Sequence, residues 1–421
     1  MDTTATKTKR NFWKDINSEN VSAGSLAGIF AVIACSLLLV NAGAEAGLTQ
    51  QQTISWVSSA WIFGGALGIF LGLYTRKPIV GGWSIPAAVM LSTTLGNFTF
   101  EQAVGGYFMG GVLVFLIGLS GLVNVIIRYL PLPIIMAMIA GALIKFGTGI
   151  VVGISDLPII AGIPVLTYFF CLRWQKIISP IIPALLIGLV LFYTVGDGGS
   201  MSTSYEFQLL ELYVPAFSID AFFAISIPLA ILVIGAENAQ ATGILMTEGY
   251  KPPVKTMTVL SGVGGMVACW FGSHNANIGG PATAICAGEG AGEEKEKRYV
   301  ASILCGVICL VFGIFASYAL AFVKVIPVEL VAVIAGLAMI NTLIQAFQMS
   351  FGGEKPKLQL GAFASFCIAL SGISIFNITA PFWALVFGVL ISMTIDKKDY
   401  FAMVSPKVQD TESKESLAET H

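Results

Sequence analysis

Charged side chains are scarce in this sequence. Only 11% of the 421 residues are Asp, Glu, Lys or Arg, while 56% are hydrophobic. A soluble domain carries about 25% charged residues, so lipid rather than water must surround most of this chain. The apolar runs follow one another closely and leave no room for a soluble domain. The formal net charge of −2 argues against nucleic acid as a partner.

Motifs of enzymes, pumps and metal sites are also missing. The sequence contains no H-E-x-x-H, no G-x-S-x-G and no G-x-x-x-x-G-K-[ST] phosphate loop, so we expect neither enzymatic activity nor ATP-driven transport. Its seven cysteines lie inside apolar runs without metal-ligand spacing and are interpreted as small hydrophobic residues. No metal ion and no cofactor are therefore predicted.

Fourteen apolar segments are predicted to be membrane spans, since a spanning helix needs about 20 mostly apolar residues. All but two of the 22 Lys and Arg residues then fall on the side of the N-terminus, which the positive-inside rule identifies as cytoplasmic. Lys145 and Lys324 are the exceptions, and Lys145 is predicted to snorkel to the outer interface. The predicted spans are 22–44, 51–74, 79–95, 102–127, 131–152, 157–172, 178–195, 220–246, 257–272, 275–290, 299–323, 327–348, 358–375 and 379–395.

Three sequence matches relate the first seven spans to the second seven. They occur in the same order, with offsets of 192 to 196 residues. Because seven is odd, the second half must enter the membrane from the opposite side, as in the inverted repeats of secondary transporters. We therefore predict an all-α polytopic membrane protein with a seven-plus-seven inverted repeat. The matched segments are 41–47 with 234–240, 82–88 with 278–283, and 131–141 with 327–336.

The third and tenth spans are short and interrupted. In each, a glycine-containing stretch leads into a proline, Pro86 or Pro281, followed by good helix formers. Proline favours an extended residue before it and suits the first position of a helix, so each span is predicted to be an extended stretch plus a half-helix. The two spans run in opposite directions, so the half-helix N-termini should face each other near the midplane and form an anion site. Two proline kinks without a ligand are the alternative interpretation.

Glu237 is a carboxyl group inside the eighth span. Ionisable residues at this depth are candidates for function, and apolar surroundings disfavour the charged form of a carboxyl group. Glu237 is therefore predicted to carry a proton, with a structural role as a cap for a neighbouring half-helix as the alternative. Gln240 lies three residues further on and shares its helix face.

The other candidate residues lie at or near the predicted half-helices. Glu45 matches Glu237 in the repeat, and a gating or structural role is expected for it. His274 is expected to have an outer-surface, gating or structural role, and Asn275 and Asn277 either hydrogen-bond a ligand or satisfy the extended backbone. The predicted substrate-binding residues are Ser84, Ile85, Pro86, Asn238, Gln240, Asn277, Ile278, Gly279 and Gly280.

Two stretches of the chain have a distinctive sequence. The first reads Gly235-Ala-Glu-Asn-Ala-Gln-Ala-Thr-Gly-Ile-Leu245 and continues with Gly-Tyr-Lys-Pro-Pro at 249–253. The second reads Phe271-Gly-Ser-His-Asn-Ala-Asn-Ile-Gly-Gly-Pro-Ala-Thr-Ala-Ile-Cys286, with Lys-Arg-Tyr at 297–299. Both stretches resemble the benzoate:proton symporter family of the BenE type, and this resemblance implies the fold of uracil permeases and anion transporters. Glu237 then matches the acidic residue on the eighth span of the uracil transporters. Ala276 stands where they carry a second acidic residue, which suits an anionic ligand.

The resemblance also implies two domains that move against each other like an elevator. The implied division is a core of 21–127 and 220–325, a gate of 128–197 and 326–396, a cytoplasmic N-terminal segment of 1–20, an outer loop of 198–219 and a cytoplasmic tail of 397–421.

The expected function is proton-coupled uptake of benzoate or a similar small aromatic carboxylate. The expected protein is a secondary active transporter of the inner membrane, with both termini cytoplasmic, in contact with lipid, and a homodimer is one assembly considered. A nucleobase or inorganic-anion carrier of the same fold is the alternative within transporters, and an anion channel is the alternative outside them.

Overall fold

The computed structural model describes residues 12–123, 129–174, 180–195, 210–318, 328–353, 357–375 and 378–404. Lys324 and parts of the predicted N-terminal segment, outer loop and cytoplasmic tail lie outside these residues. The described part of the predicted tail contains a helix at Lys397–Val404.

Helices make up most of the described chain. The first half contains α1 (Phe12–Asp15), α2 (Ser18–Glu45), α3 (Gln50–Thr75), β1 (Gly81–Gly82), α4 (Ile85–Thr94), α5 (Phe100–Ser120), α6 (Leu132–Asp156), α7 (Pro158–Cys171) and α8 (Ile181–Val195). The second half contains α9 (Ile219–Thr247), α10 (Val254–Ala268), β2 (Asn277–Ile278), α11 (Gly280–Ala287), α12 (Tyr299–Ile314), α13 (Val328–Phe351), α14 (Gln359–Ser371), β3 (Ser374–Ile375), β4 (Ile378–Thr379), α15 (Ala380–Thr394) and α16 (Lys397–Val404). Short 3₁₀ turns lie at Leu95–Asn97, Leu172–Trp174, Cys269–Phe271, Glu289–Ala291 and Lys295–Lys297.

The helices have the lengths that a membrane requires. By length and composition, eight helices of the described chain are long and apolar enough to cross a membrane, and four further apolar helices have 10–17 residues. Each predicted span contains a helix, although the third and tenth contain only short ones. The count of fourteen crossings and the inverted repeat stay predictions. The antiparallel strand pair β3–β4 before α15 is a feature that the sequence did not predict.

Capping boxes explain where three of the long helices begin. The side chains of Asn17 and Asn20 at the start of α2 each accept a hydrogen bond from the other's backbone N–H. Thr49 and Gln52 do the same for α3, and Thr99 with Gln102 does so for α5. These reciprocal bonds satisfy N–H groups that the first turn of a helix leaves without a partner.

The long helices pack in pairs that join the two halves of the chain. Helix α3 lies along α12, and α5 lies along α10. Under the predicted repeat these two pairs correspond to each other, since spans 2 and 11 match spans 9 and 4. Helices α6 and α13, the fifth and twelfth predicted spans, also pack together. This pattern is consistent with the predicted repeat.

Strand β1 lies directly against α3 because glycines form both surfaces. Gly64 and Gly68 of α3 face Gly81 and Gly82, and a Cβ atom added at Gly64 would lie 2.7 Å from the carbonyl oxygen of Gly82 and 2.8 Å from its Cα. No side chain fits between these two backbones. The glycines of α3 therefore determine how deeply the extended stretch of the third span is buried.

We predict that Gly64→Ala destabilises the protein by about 1–3 kcal/mol, the usual cost of adding a methyl group to a packed interior. The clash with backbone should outweigh the small gain that alanine gives inside a helix. Thermal unfolding of the purified protein in detergent would measure the change. Gly149→Ala on α6 is the matched control, since a Cβ there meets no atom within 4 Å. Equal melting temperatures for the two variants would contradict this packing.

Candidate functional site

The third and tenth predicted spans meet through a short antiparallel sheet. Gly81 pairs with Ile278, and Gly82 pairs with Asn277. Because the paired strands run in opposite directions, α4 and α11 leave the sheet in opposite directions with their N-termini close together. Each span is an extended stretch followed by a half-helix, as predicted. Each half-helix begins one residue before its proline, at Ile85 and Gly280, rather than at the proline itself.

Glu237 connects the two half-helices. Its Oε1 atom accepts a hydrogen bond from the backbone N–H of Ile85 at 3.1 Å, and its side chain is only 4% exposed. The N–H of Gly280 and the hydroxyl of Ser84 interact with the same carboxyl group. Glu237 therefore caps α4, which is the structural role considered for it as an alternative. Its position at the N-terminal ends of both half-helices is also the position that a proton carrier for an anion site would need.

A π-helical turn positions the Glu237 side chain. Helix α9 contains two π-helical segments, Phe222–Ser226 and Leu232–Asn238, and Glu237 lies in the second. A π turn inserts an extra residue and rotates the side chains that follow, and such turns often occur at functional sites. The sequence carries no signal that predicted it.

A cavity of about 490 Å³ lies beside the half-helix N-termini. Its walls come from α2, α3, the two half-helix regions, α9, α12 and α13, so it lies between the predicted core and the predicted gate. Most of the wall is apolar, and it contains no Lys, Arg or His from the described part of the chain. The lining residues that matter below are Phe30, Trp61, Trp83, Ile85, Glu237, Gln240, Gly279, Gln345 and Gln348.

The aromatic wall and the gate-side wall of the cavity were not predicted from the sequence. Trp61 and Trp83 meet edge to face, with ring centroids 5.7 Å apart and an interplanar angle of 78°. On α13, Gln345 accepts a hydrogen bond from the Gln240 side chain at 3.0 Å. The sequence does contain a pattern that could have indicated the gate-side wall. Asn341, Gln345 and Gln348 of α13 form a polar stripe at helical spacing in an otherwise apolar span. The tryptophans carried no such signal.

Some predicted substrate contacts lie on the cavity wall and others do not. Ile85, Gln240 and Gly279 line it together with Glu237, and Pro86 lines an adjoining cavity of about 30 Å³. The remaining predicted contacts, Ser84, Asn238, Asn277, Ile278 and Gly280, are buried and do not line it.

The predicted contacts of Asn238 and Ile278 with substrate find no support in this cavity. The Oδ1 atom of Asn238 accepts a bond from Ser261 of α10 at 3.4 Å, so this side chain faces away. Ile278 packs in a separate apolar cluster with Leu67 and Ala241. The π turn and the alternation of side chains along a strand explain these directions, which residue spacing alone could not.

His274 and Asn275 hold the backbone of Ser84. The Nδ1 atom of His274 accepts a hydrogen bond from the Trp56 indole at 2.8 Å, so Nε2 carries the proton and donates to the Ser84 carbonyl at 3.1 Å. Asn275 Oδ1 accepts from the N–H of Ser84 at 3.1 Å. An outer-surface position for His274 is wrong, because its side chain is fully buried. These contacts fit the structural roles considered for both residues.

Glu45 and Lys145 form an ion pair away from the cavity. Their side chains are 2.6 Å apart and partly exposed, and Lys145 also donates to Ser92 at 3.2 Å. Exposed ion pairs of this kind stabilise a protein by about 0–1 kcal/mol. The environment of Glu45 therefore differs from that of Glu237, although the two residues match in sequence.

Thr283 ties α11 to the extended stretch of the third span. Its buried hydroxyl accepts a hydrogen bond from the N–H of Val80 at 3.2 Å and donates to the carbonyl of Gly279 at 2.7 Å. The N–H of Gly279 in turn donates to the carbonyl of Val80 at 2.9 Å. No sequence pattern predicted a role for Thr283.

Replacing Thr283 by Val should destabilise the protein by about 1–3 kcal/mol, because the buried N–H of Val80 would lose its acceptor. Thr283→Ser keeps the hydroxyl and should lose clearly less. Thermal unfolding of both variants in detergent would compare them. A serine variant as unstable as the valine variant would mean that the threonine methyl group, rather than the hydroxyl, maintains the contact.

The chain matches a known protein family over most of its length. The family model described as Benzoate membrane transport protein covers residues 14–394. The Benzoate membrane transport protein of Acinetobacter baylyi is 24% identical over 413 residues, which are 96% of this chain and 99% of that protein. Inner membrane protein YdcO of Escherichia coli is 26% identical over 385 residues, with 90% and 97% covered.

Solved structures with a similar fold are anion transporters and their relatives. The transmembrane domain of the cyanobacterial bicarbonate transporter BicA superposes with a TM-score of 0.63 at 15% identity, covering 89% of this chain and 98% of that one. SLC26A9 superposes with a TM-score of 0.64 at 14% identity, covering 91% and 66%. At this level of identity the likeness shows the fold alone.

Proposed function

The chain belongs to the benzoate membrane transport protein family, and from that premise we propose that it takes up benzoate or a similar small aromatic carboxylate together with a proton. Family membership makes the protein a multi-pass membrane transport protein and confirms the predictions of the family and of a non-enzymatic function. The substrate, the coupled proton and the mechanism of movement are parts of the proposal.

The observation that carries the proposal is an aromatic cavity beside two converging helix N-termini. A volume of about 490 Å³ lies within the range of about 300–1,000 Å³ usual for small-molecule sites. The rings of Phe30, Trp61 and Trp83 offer an apolar surface for a benzene ring. The N–H groups at the starts of α4 and α11 offer partial positive charge for a carboxylate. A small aromatic carboxylate matches both features.

Energetics favour carrying a proton with this anion. Burying a carboxylate costs several kcal/mol, while one helix terminus returns about 0.3–2 kcal/mol. An anion that enters a negative-inside cell also moves against about 2.3 kcal/mol per 100 mV. One proton carried in the same direction removes the electrical penalty. Glu237 is the proposed carrier, because it is the one acidic residue among the described residues of the cavity wall.

The proposed movement is an elevator-like shift of the core, 21–127 and 220–325, against the gate, 128–197 and 326–396. The cavity supports this division, since α13 supplies its gate-side wall. With fourteen spans and both termini cytoplasmic, the exposed Gln345 and Gln348 lie toward the cytoplasmic end of α13, so the conformation described faces inward. An inner-membrane location, contact with lipid and a homodimer belong to the same proposal.

Two other functions fit the fold less well. An inorganic-anion carrier would have little use for the aromatic wall formed by Trp61 and Trp83. A neutral nucleobase would not need the two helix N-termini that suit an anion. An anion channel is the second alternative, and ohmic currents in planar bilayers would favour it over a carrier. The described polar groups lie at one level beside the half-helices rather than along a continuous path.

We predict that Glu237→Gln abolishes benzoate accumulation driven by a pH gradient but leaves exchange of benzoate across the membrane. The amide cannot release a proton, while the rest of the cavity stays intact. Proteoliposomes with labelled benzoate, and with the pH gradient and the potential set separately, would measure both activities. Glu45→Gln, the same change at the matching position of the repeat, should accumulate like wild type. Wild-type accumulation by Glu237→Gln would show that another group carries the proton.

A larger side chain at Gly279 should block substrate binding without disturbing the fold. A Cβ atom there meets only the carbonyl oxygen of Val80, at 4.0 Å, so the valine methyl groups in Gly279→Val would project into the cavity that Gly279 lines. We expect at least a tenfold loss of benzoate affinity, which corresponds to about 1.4 kcal/mol, with a nearly unchanged melting temperature. Gly149→Val is the control away from the cavity. In Gly280→Val, by contrast, the added Cβ atom would lie 2.7 Å from the Cδ atom of Gln240. Both the melting temperature of the protein and its affinity for benzoate should therefore change. Unchanged affinity in both the Gly279→Val and the Gly280→Val variant would contradict the half-helix site.

A further inference from the structure

A carboxylate already occupies the N-terminus of α4. Glu237 Oε1 accepts the Ile85 N–H at 3.1 Å, and its carboxyl group also interacts with Gly280 and Ser84. These N–H groups at the half-helix starts are the same groups that the proposed substrate carboxylate needs. One protein carboxylate and one substrate carboxylate therefore compete for one set of donors.

We propose that the Glu237 carboxylate and the substrate carboxylate are alternative ligands of the half-helix N-termini, so that substrate binds only when Glu237 is protonated. This inference rests on the proposed function, because it takes the substrate to be a carboxylate. It makes Glu237 an internal competitor of the substrate as well as a proton carrier.

The described wall of the cavity offers no cation that would let both carboxylates stay charged. Among the residues that the structure describes, no Lys, Arg or His contributes to this wall. Two carboxylates about 4 Å apart in a poorly screened interior repel each other by more than a helix terminus returns. Protonation of Glu237 removes this repulsion and converts its carboxyl group into a weaker acceptor. The Ile85 N–H then becomes available to the substrate.

Other ionisable groups near this turn do not take over the role. The ionisable side chains on the elements packed against the π-helical turn are Lys145 and Asp156 on α6, Lys255 on α10 and His274 before β2, and α2 carries Glu19, Cys35 and Glu45. Glu19 lies at the other end of α2, beside Gly292. Asp156 and Lys255 are exposed, and Lys145 pairs with Glu45. Both ring nitrogens of His274 are engaged by Trp56 and Ser84. Cys35 and Cys309 on the cavity wall contribute thiols rather than charges.

The exchange of ligands balances in charge. The empty site contains one negative charge, on Glu237. The loaded site contains Glu237, which is neutral because it carries the added proton, and one substrate carboxylate, and therefore also one negative charge. Each binding event takes up one proton, so a full cycle that moves one carboxylate and one proton is electroneutral.

Benzoate binding to the purified full-length protein in detergent tests this inference. By linkage, the dissociation constant of the wild type should rise about tenfold per pH unit once Glu237 has lost its proton. Benzoate itself is ionised over the whole range used, about pH 6 to pH 9. Glu237→Gln mimics the protonated state, so its dissociation constant should stay constant with pH and equal the low-pH value of the wild type. Glu45→Gln should keep the wild-type slope.

A second measurement does not depend on any variant. Calorimetric titrations of the wild type in buffers of different ionisation enthalpy should report uptake of about one proton per benzoate at high pH. A pH-independent wild-type affinity, or binding without proton uptake, would overturn the shared site while leaving benzoate as the substrate. A Glu237→Gln protein that keeps the wild-type slope would also overturn it. No benzoate binding by the wild type at any pH would overturn the proposed substrate, and the shared site with it.

Discussion

The pairing of β1 with β2 is the interaction on which the rest of the site depends. Inside a membrane no water can satisfy backbone N–H and C=O groups, so an interrupted helix is tolerated only where protein groups replace the lost bonds. Here each interruption satisfies the other, through Gly81 with Ile278 and Gly82 with Asn277. Because the pairing is antiparallel, it also brings the N-termini of α4 and α11 together. One set of hydrogen bonds thus both allows the breaks and brings together the two helix N-termini of the proposed anion site.

Side chains next to the β1–β2 sheet hold the two half-helices in place through hydrogen bonds to nearby backbone groups. His274 and Asn275 hold the carbonyl and N–H of Ser84, and Thr283 holds the N–H of Val80. On the opposite side, the glycines of α3 let its backbone touch β1. Such contacts attach the half-helices to the elements around them. A site that is held in this way by the proposed core and closed by α13 of the proposed gate suits the proposed elevator-like movement.

Glu237 combines a structural contact with a proposed function, because the same Oε1 atom takes part in both. As a cap it satisfies the Ile85 N–H and balances the positive ends of two helix dipoles. As a proposed proton carrier and competitor it must give up this bond before substrate can take its place. A group with both roles would couple proton and substrate binding without a separate conformational signal. The same bond would stabilise the empty carrier, because an apolar cavity with two uncompensated helix N-termini would be unfavourable.

The sequence by itself determined the membrane environment, the apolar segments, the breaks before Pro86 and Pro281 and the acidic residue in the eighth span. These follow from local composition and from the backbone preferences of proline and glycine, which do not depend on distant residues. Only the tertiary structure decided which side chains meet. The π turn directs Glu237 to the half-helices and Asn238 away from the cavity, the packing of α2 and α3 brings Trp61 to the cavity, and His274 is buried against Trp56. These outcomes depend on helix rotation and on contacts between residues far apart in sequence, such as Trp56 and His274, which local patterns do not encode.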